Sequence, residues 1–362
     1  LYGLEGSINN MSINNILDLD GLSSPEPDPD TGEIADWENF CSTVDQNIGA
    51  GIIAASVDLA NVTLDNVEGF GLSMVQANSN IDTLVGGAST CSTVISFQSS
   101  TTISGMELSS YNPKYNALGA SLVGYESSLL QVSDSIFSGD SDEYFGMSVY
   151  TYGGSNFIFE NNSFSNASFG LYANDAALSL TGNSFSDHVD YSIYINSADT
   201  RSHSFEDNQF SSNDTLSTTA INCYNGGNLE LNGDSFSDIY GTYAISGSSC
   251  GFEMEDVSFD SLGYYGVYGY GGDFELDSVS FSNTGLSTTY PQALYFYATA
   301  PMNISVINSS FQNTIADAIS MTTYDDATAP INAIFDTVSF TDIGDDAIYS
   351  YGAVASFNNI TV

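Results

Sequence analysis

The sequence predicts an all-β solenoid, a chain wound into a parallel β-helix, and three observations predict it. A phenylalanine recurs every 21 to 30 residues from Phe137 to Phe340, and the segment ahead of each places apolar residues at alternate positions. Alternation of this kind gives a strand one buried face. Two or three such strands fit in each repeat with no helical segment between them, which is too little chain for strand-helix-strand units. Antiparallel sandwiches also use short strands, but they do not restart one pattern at the same phase. Coiling satisfies both facts, with equivalent residues stacked about 4.8 Å apart.

The elements follow in order. Ile8 to Ile16 has isolated apolar residues separated by Asn pairs, and it reads as a partial coil. Residues 20 to 36 break the pattern with Pro25, Pro27, Pro29 and a run of acids, so they predict an exposed insertion, because proline lacks the donor a sheet needs. Trp37, Phe40 and Cys41 follow as a candidate cap over the first layer. The expected division is therefore 1–50, a partial coil carrying the acidic loop, and 51–362, the β-helix. Layers between Ile52 and Leu108 are degenerate in sequence. From residue 128 onward the marker is regular: Phe137, Phe164, Phe185, Phe210, Phe236, Phe259, Phe281, Phe311 and Phe340 are expected to form one structural ladder. A short strand with a central aliphatic residue follows most of them, as in Gly266-Val267-Tyr268 and Ala347-Ile348-Tyr349. Asn161, Asn162, Asn183, Asp207, Asn208, Asp234, Asp256, Asn308, Asn358 and Asn359 stand at the bends, where such residues tolerate left-handed backbone and can align into an amide ladder.

Charge sets the function classes. Forty-five Asp and Glu stand against two cations, Lys114 and Arg201, for a net charge of -43. Nucleic-acid affinity depends on Lys and Arg neutralising phosphates, so nucleic acid is excluded as a partner. No apolar run approaches the ~18 residues of a spanning helix, so no transmembrane segment is expected. The acids read either as a solubilising face or, in part, as Ca²⁺ ligands, since Ca²⁺ prefers oxygen. Asp28, Asp30 and Glu33 are weak calcium candidates in a spacing shorter than a full calcium loop. No cofactor is required, and calcium is the one considered.

Four cysteines cannot be the scaffold of so long a chain. Cys223 and Cys250 lie one repeat apart and would occupy neighbouring layers, leaving Cys41 with Cys91. Disulfides, buried thiols and metal ligation all remain open, although no CxxC occurs and neither His188 nor His203 is near a pair.

Units such as Phe159-Glu160-Asn161-Asn162-Ser163-Phe164 and Gly182-Asn183-Ser184-Phe185 resemble the repeats of right-handed parallel β-helix proteins of the pectin-lyase-like superfamily. The resemblance runs over roughly residues 50 to 362 and implies a single-stranded right-handed β-helix of roughly 11–12 coils. It implies no single activity, because that superfamily holds lyases, hydrolases, epimerases, tailspikes and adhesins. Its pectate lyases use a basic residue with acid-bound calcium; here Lys114 and Arg201 lie about three coils apart, and Arg201 with His203 reads as an incidental surface pair. Gly344-Asp345-Asp346-Ala347 looks like the Gly-Asp-Asp motif of its polygalacturonases, but the later Gly-His-Gly and Arg-x-Lys motifs are missing. Adjacent acids on a strand point to opposite faces, so Asp345 and Asp346 read as turn and surface residues.

No convergent catalytic set emerges, and no catalytic residue is assigned. The expected protein is a non-enzymatic extracellular or cell-surface β-helix, structural or adhesive, with itself or a surface glycan as partner. Because both ends look uncapped, a head-to-tail filament or a longer natural chain is expected. Leu1 is expected to begin a processed or truncated product. The alternative is a polysaccharide-processing lyase or hydrolase, or a calcium-dependent glycan-binding β-helix. Tyr264, Tyr265, Tyr268, Tyr270, Tyr295 and Tyr297 read as packing ladders before they read as a sugar-stacking stripe.

Overall fold

A computed structural model describes residues 2–16, 52–67, 70–86, 92–109, 120–127, 129–139, 147–154, 156–197, 201–212, 218–286, 291–324 and 329–362. The acidic loop with Asp28, Asp30 and Glu33, the pair Cys41 and Cys91, and Lys114 lie outside these residues. The described residues form the expected all-β parallel solenoid. It divides into two compact units, Leu1–Tyr172 and Ala173–Val362.

In the first unit, parallel strands stack with one apolar column in register. Leu59 pairs with Ile81, Ile81 with Ile103, Ile103 with Val132, and Val132 with Phe159. All five are 2% exposed or less. These layers look degenerate in sequence because the marker position changes type: the column holding Phe137 and Phe164 begins as Leu64, Gly86 and Leu108. Phe137 and Phe164 stack at 4.8 Å with rings 7° apart.

The second unit is more regular, each full turn adding one strand to each of three sheets. One turn consists of Gly251–Glu255, Ser258–Leu262 and Tyr265–Tyr270, and the next of Phe274–Asp277, Ser280–Thr284 and Leu294–Ala298. The middle sheet carries Phe185, Phe210, Phe236, Phe259, Phe281, Phe311 and Phe340 one above another. Successive rings lie between 4.4 Å (Phe259 on Phe281) and 5.2 Å (Phe311 on Phe340), and they are near parallel. Parallel in-register pairing forces this geometry, since a strand spacing of about 4.8 Å is close to an offset ring stack.

The bends separate two columns that the sequence runs together. Asp207, Asp256, Asn308 and Asn359 have φ between 49° and 55°, the left-handed conformation that Asn and Asp tolerate. The next residue turns inward, so Asn183, Asn208 and Asp234 form a buried polar ladder. Asp234 Oδ1 accepts from the Asn208 backbone N–H at 2.8 Å and from Asn208 Nδ2 at 2.9 Å, and Asn208 Oδ1 accepts likewise from Asn183. Asn208 Nδ2 also donates to the Leu180 carbonyl. Asp234 Oδ2 is buried and, among the described residues, has no partner. Burial pushes its carboxyl up to about 7, against the bonds from Asn208.

His203 is fully buried rather than the surface residue the sequence suggests. It occupies the inward column of Leu229 and Phe252, and neither ring nitrogen finds a hydrogen-bond partner among the described residues. Burial, and then the charge of Arg201, lowers it to about 4.

Three outcomes are expected. Phe259→Ala removes a ring packed on both faces and should cost about 3–5 kcal/mol in chemical denaturation; a loss below 1 kcal/mol would show that the stack does not hold the coils. Asp234 has a folded pKa above its unfolded value of 3.8, so its protonated form favours the fold and that contribution is lost as pH rises from about 4 to about 7. Asp234→Asn, able to donate as Asn208 does, should therefore gain stability over wild type by about 1.4 kcal/mol per pH unit across that window. His203 is lowered in the fold, so it destabilises as pH falls from about 6.5 to about 4. His203→Leu, which matches the column, should flatten that acid limb in thermal melts.

Candidate functional site

Residues on two outward sheet faces of the second unit could meet a ligand. The first is acidic. Glu230, Glu253 and Glu275 stand in register on consecutive coils, with Ser204 and Ser305 at either end of the column. Glu206, Asn232, Glu255 and Asp277 form the parallel column. Together they line an open trough of about 470 Å³. Carboxylates one coil apart repel, and no Lys or Arg stands among the residues lining the trough. At the edge of the trough and beyond it, amides and hydroxyls of the following coil solvate the acids. Asp260 accepts from Asn283 at 2.8 Å and from Ser282, whose bond is first among the causes holding its carboxyl low. Asp277 accepts from Asn308 at 2.9 Å, and Asp336 from Asn358 at 2.8 Å.

The second face is aromatic and ends in acids. Tyr243, Tyr265, Gln292, Asp317 and Asp346 occupy equivalent positions, one per coil, beside the third-sheet strands. Next to them Tyr268 stacks on Tyr295 at 5.5 Å, and further along the strands Tyr270 stacks on Tyr297 at 5.7 Å, so these tyrosines do pack as ladders. Burial, with contributions from the neighbouring tyrosines, pushes the Tyr268 hydroxyl up to about 12.

At the end of this column three carboxylates converge. One oxygen each of Asp317, Asp345 and Asp346 lies within 4.8 Å of the others. The expectation that Asp345 and Asp346 diverge fails for a local reason: Gly344 to Ala347 form the bend before strand Ile348–Tyr351, so strand alternation does not apply to them. Asp317 comes from the equivalent bend 28 and 29 residues earlier, and no local motif flags it. Its Oδ1 accepts the Asp346 backbone N–H at 3.2 Å. Desolvation, and then the charges of Asp345 and Asp346, raise the Asp317 carboxyl against the hydrogen bonds from the Asp346 N–H and from Gln292. Gln292 is 9% exposed, and its Oε1 is buried with no hydrogen-bond partner among the described residues. An oxygen-only set of this kind can share a proton among its members or hold a hard divalent cation.

Cys223 and Cys250 form a disulfide between adjacent coils, with Cα atoms 6.2 Å apart. Among the described residues no helix is long and apolar enough to cross a membrane.

Comparison with known families decides the classification. The family of the right-handed beta helix region matches residues 42–255, more than half of the chain. The chain belongs to the right-handed β-helix family. Among curated proteins, none matches this β-helix by sequence. Solved structures of similar fold include the catalytic unit of a thermostable α-1,3-glucanase from Streptomyces thermodiastaticus, at 14% identity and a TM-score of 0.39, matched over 89% of this chain and 65% of that one. The tailspike of Acinetobacter phage vb_AbaP_AS12 is similar at 8% identity and a TM-score of 0.39, over 82% of this chain and 57% of that one. An alginate lyase from a Paenibacillus species is similar at 12% identity and a TM-score of 0.33, over 86% of this chain and 99% of that one. This β-helix thus spans less than two thirds of the length of the glucanase unit and of the tailspike. At such identities the likeness is one of fold.

The expectation of a non-enzymatic chain is corrected. Its premise, that no acids converge, fails at Asp317, Asp345 and Asp346.

Proposed function

We propose that this β-helix processes a polysaccharide by hydrolysis, with Asp317, Asp345 and Asp346 as its acid–base group. The convergence of three carboxylates from two consecutive coils carries the reading. Glycoside hydrolysis needs a proton donor and an ionised partner whose environments differ. Asp317 is the donor: its partial burial and two acidic neighbours keep it protonated to higher pH than an ordinary carboxyl. The proton passes from Asp317 to the glycosidic oxygen as the C–O bond breaks and that oxygen keeps the bonding pair. With the carboxylates too close for a water to sit between them, Asp345 or Asp346 attacks the anomeric carbon to form a glycosyl ester, and water then hydrolyses that ester, giving its proton to the Asp317 carboxylate. Gln292, donating to Asp317, holds the carboxyl in place. The Cys223–Cys250 bridge suits an oxidising, extracellular setting, where polymeric glycans are met.

Reducing-end release from a panel of neutral and anionic polysaccharides tests the reading, run with and without Ca²⁺. Wild type should turn over at least one polymer, and Asp317→Asn and Asp346→Asn should each lower kcat by about 10²–10⁴. Activity should fall as pH rises, because Asp317 then loses the proton it must donate. Turnover unchanged in Asp317→Asn, or no turnover of any polymer, would overturn the assignment.

A further inference from the structure

We infer that Tyr224 and Tyr270 form an aromatic slot that takes one pyranose ring of an uncharged glycan. On the third sheet, Tyr224 pairs with Ser248, and Ser248 with Tyr270. Two tyrosines therefore face each other across a coil that carries only a serine at that position. Two strand spacings separate them by about 9.6 Å, and a ring in contact with both faces at about 3.5–4.0 Å needs about 7–8 Å, so the two exposed tyrosines close on it by a lean of about 1 Å each. Elsewhere in this column the aromatic faces are used up, as where Tyr270 stacks on Tyr297 at 5.7 Å. The slot is open, since Tyr224 is 45% exposed and Tyr270 37%.

Its frame is rigid. Cys223, next to Tyr224, is bonded to Cys250, which ends the bend after Ser248, so the two coils that set the lower half of the slot are tied covalently. Tyr297 backs the upper ring. Asn222 and Ser246, outward on the same strands, offer hydrogen bonds to hydroxyls at the floor. Amphipathic rings with a few fixed polar groups are what a sugar site requires.

Charge selects the ligand. Two cations in the whole sequence face 45 acids, so a uronate would meet net repulsion, whereas a neutral sugar has nothing to lose. The inference rests on the proposed function for the class of ligand and for its course across the sheet: Tyr270 lies three coils, about 14 Å, from the coil of Asp346 and five residues, about 17 Å, further along the strand, a span of about 22 Å that an oligosaccharide of several units covers.

The test is binding, not turnover, and so is separable from the acid–base assignment. Isothermal titration in Asp317→Asn would use α- and β-linked gluco-oligosaccharides of six units as neutral probes and an oligogalacturonate as the anionic one. At least one neutral probe should bind, Tyr224→Ala and Tyr270→Ala should each weaken it by about tenfold, and Ser248→Trp, which fills the gap, should abolish it. The oligogalacturonate should bind at least tenfold more weakly than the neutral probe. Circular dichroism melts confirm that each variant is folded. No binding by any neutral probe, equal affinity for the uronate without Ca²⁺, or tight binding by Ser248→Trp would each overturn the slot. Binding of a neutral probe together with no turnover of any polymer by the wild type would leave the slot standing and remove the hydrolase reading alone.

Discussion

Everything described in the second unit depends on one constraint, the parallel register that repeats each position about 4.8 Å above the last. Register makes a residue type additive. One phenylalanine per coil becomes a continuous ring stack, one Asn or Asp per bend becomes a buried polar ladder, and bend acids on two successive coils become a convergent cluster at Asp317, Asp345 and Asp346. The chemistry is therefore assembled from positions far apart in sequence by a rule with a single spatial period. A slip of one residue in any layer would turn the Phe column outward and dissolve the candidate site together with the core.

The same rule creates a cost. Glu230, Glu253 and Glu275 are forced into like-charge contact because they share a column. Close repetition of identical side chains favours apolar and amide groups, which gain from stacking, and penalises carboxylates, which do not. The chain relieves much of this without cations: Asn283, Asn308 and Asn358 each place an amide donor from the next coil on the acid below. At Asp234, where Asn208 serves only one of the two carboxylate oxygens, burial is met by keeping the proton.

The architecture was legible in the sequence because both of its signals are local. Alternation fixes which face of a strand is buried, and a repeating Phe marks the coil. The early layers were harder, since the same column there reads Leu64, Gly86 and Leu108, and a search for one residue type passes over it. His203 was misread for a related reason: its polarity suggested surface, but a column of Leu229 and Phe252 decides its side. The acid cluster was half legible. Asp345 and Asp346 stood out as a pair, while Asp317 acquires meaning only through the pairing of Ile319 with Ile348. Strand alternation has no force at Asp345 and Asp346, which lie in a bend.

The Cys223–Cys250 bridge has a mechanical consequence. A solenoid held by coil-on-coil contacts peels one layer at a time when its ends are pulled apart, each layer giving up its hydrogen bonds and its share of the ring stack in turn. A covalent tie between adjacent coils cannot be peeled in that way. The two cysteines are 27 positions apart in sequence, and none of the chain between them can be drawn out until the bond itself breaks. Tension from either end would pass through the bond and skip this coil, so the fully extended chain is shorter by that one loop.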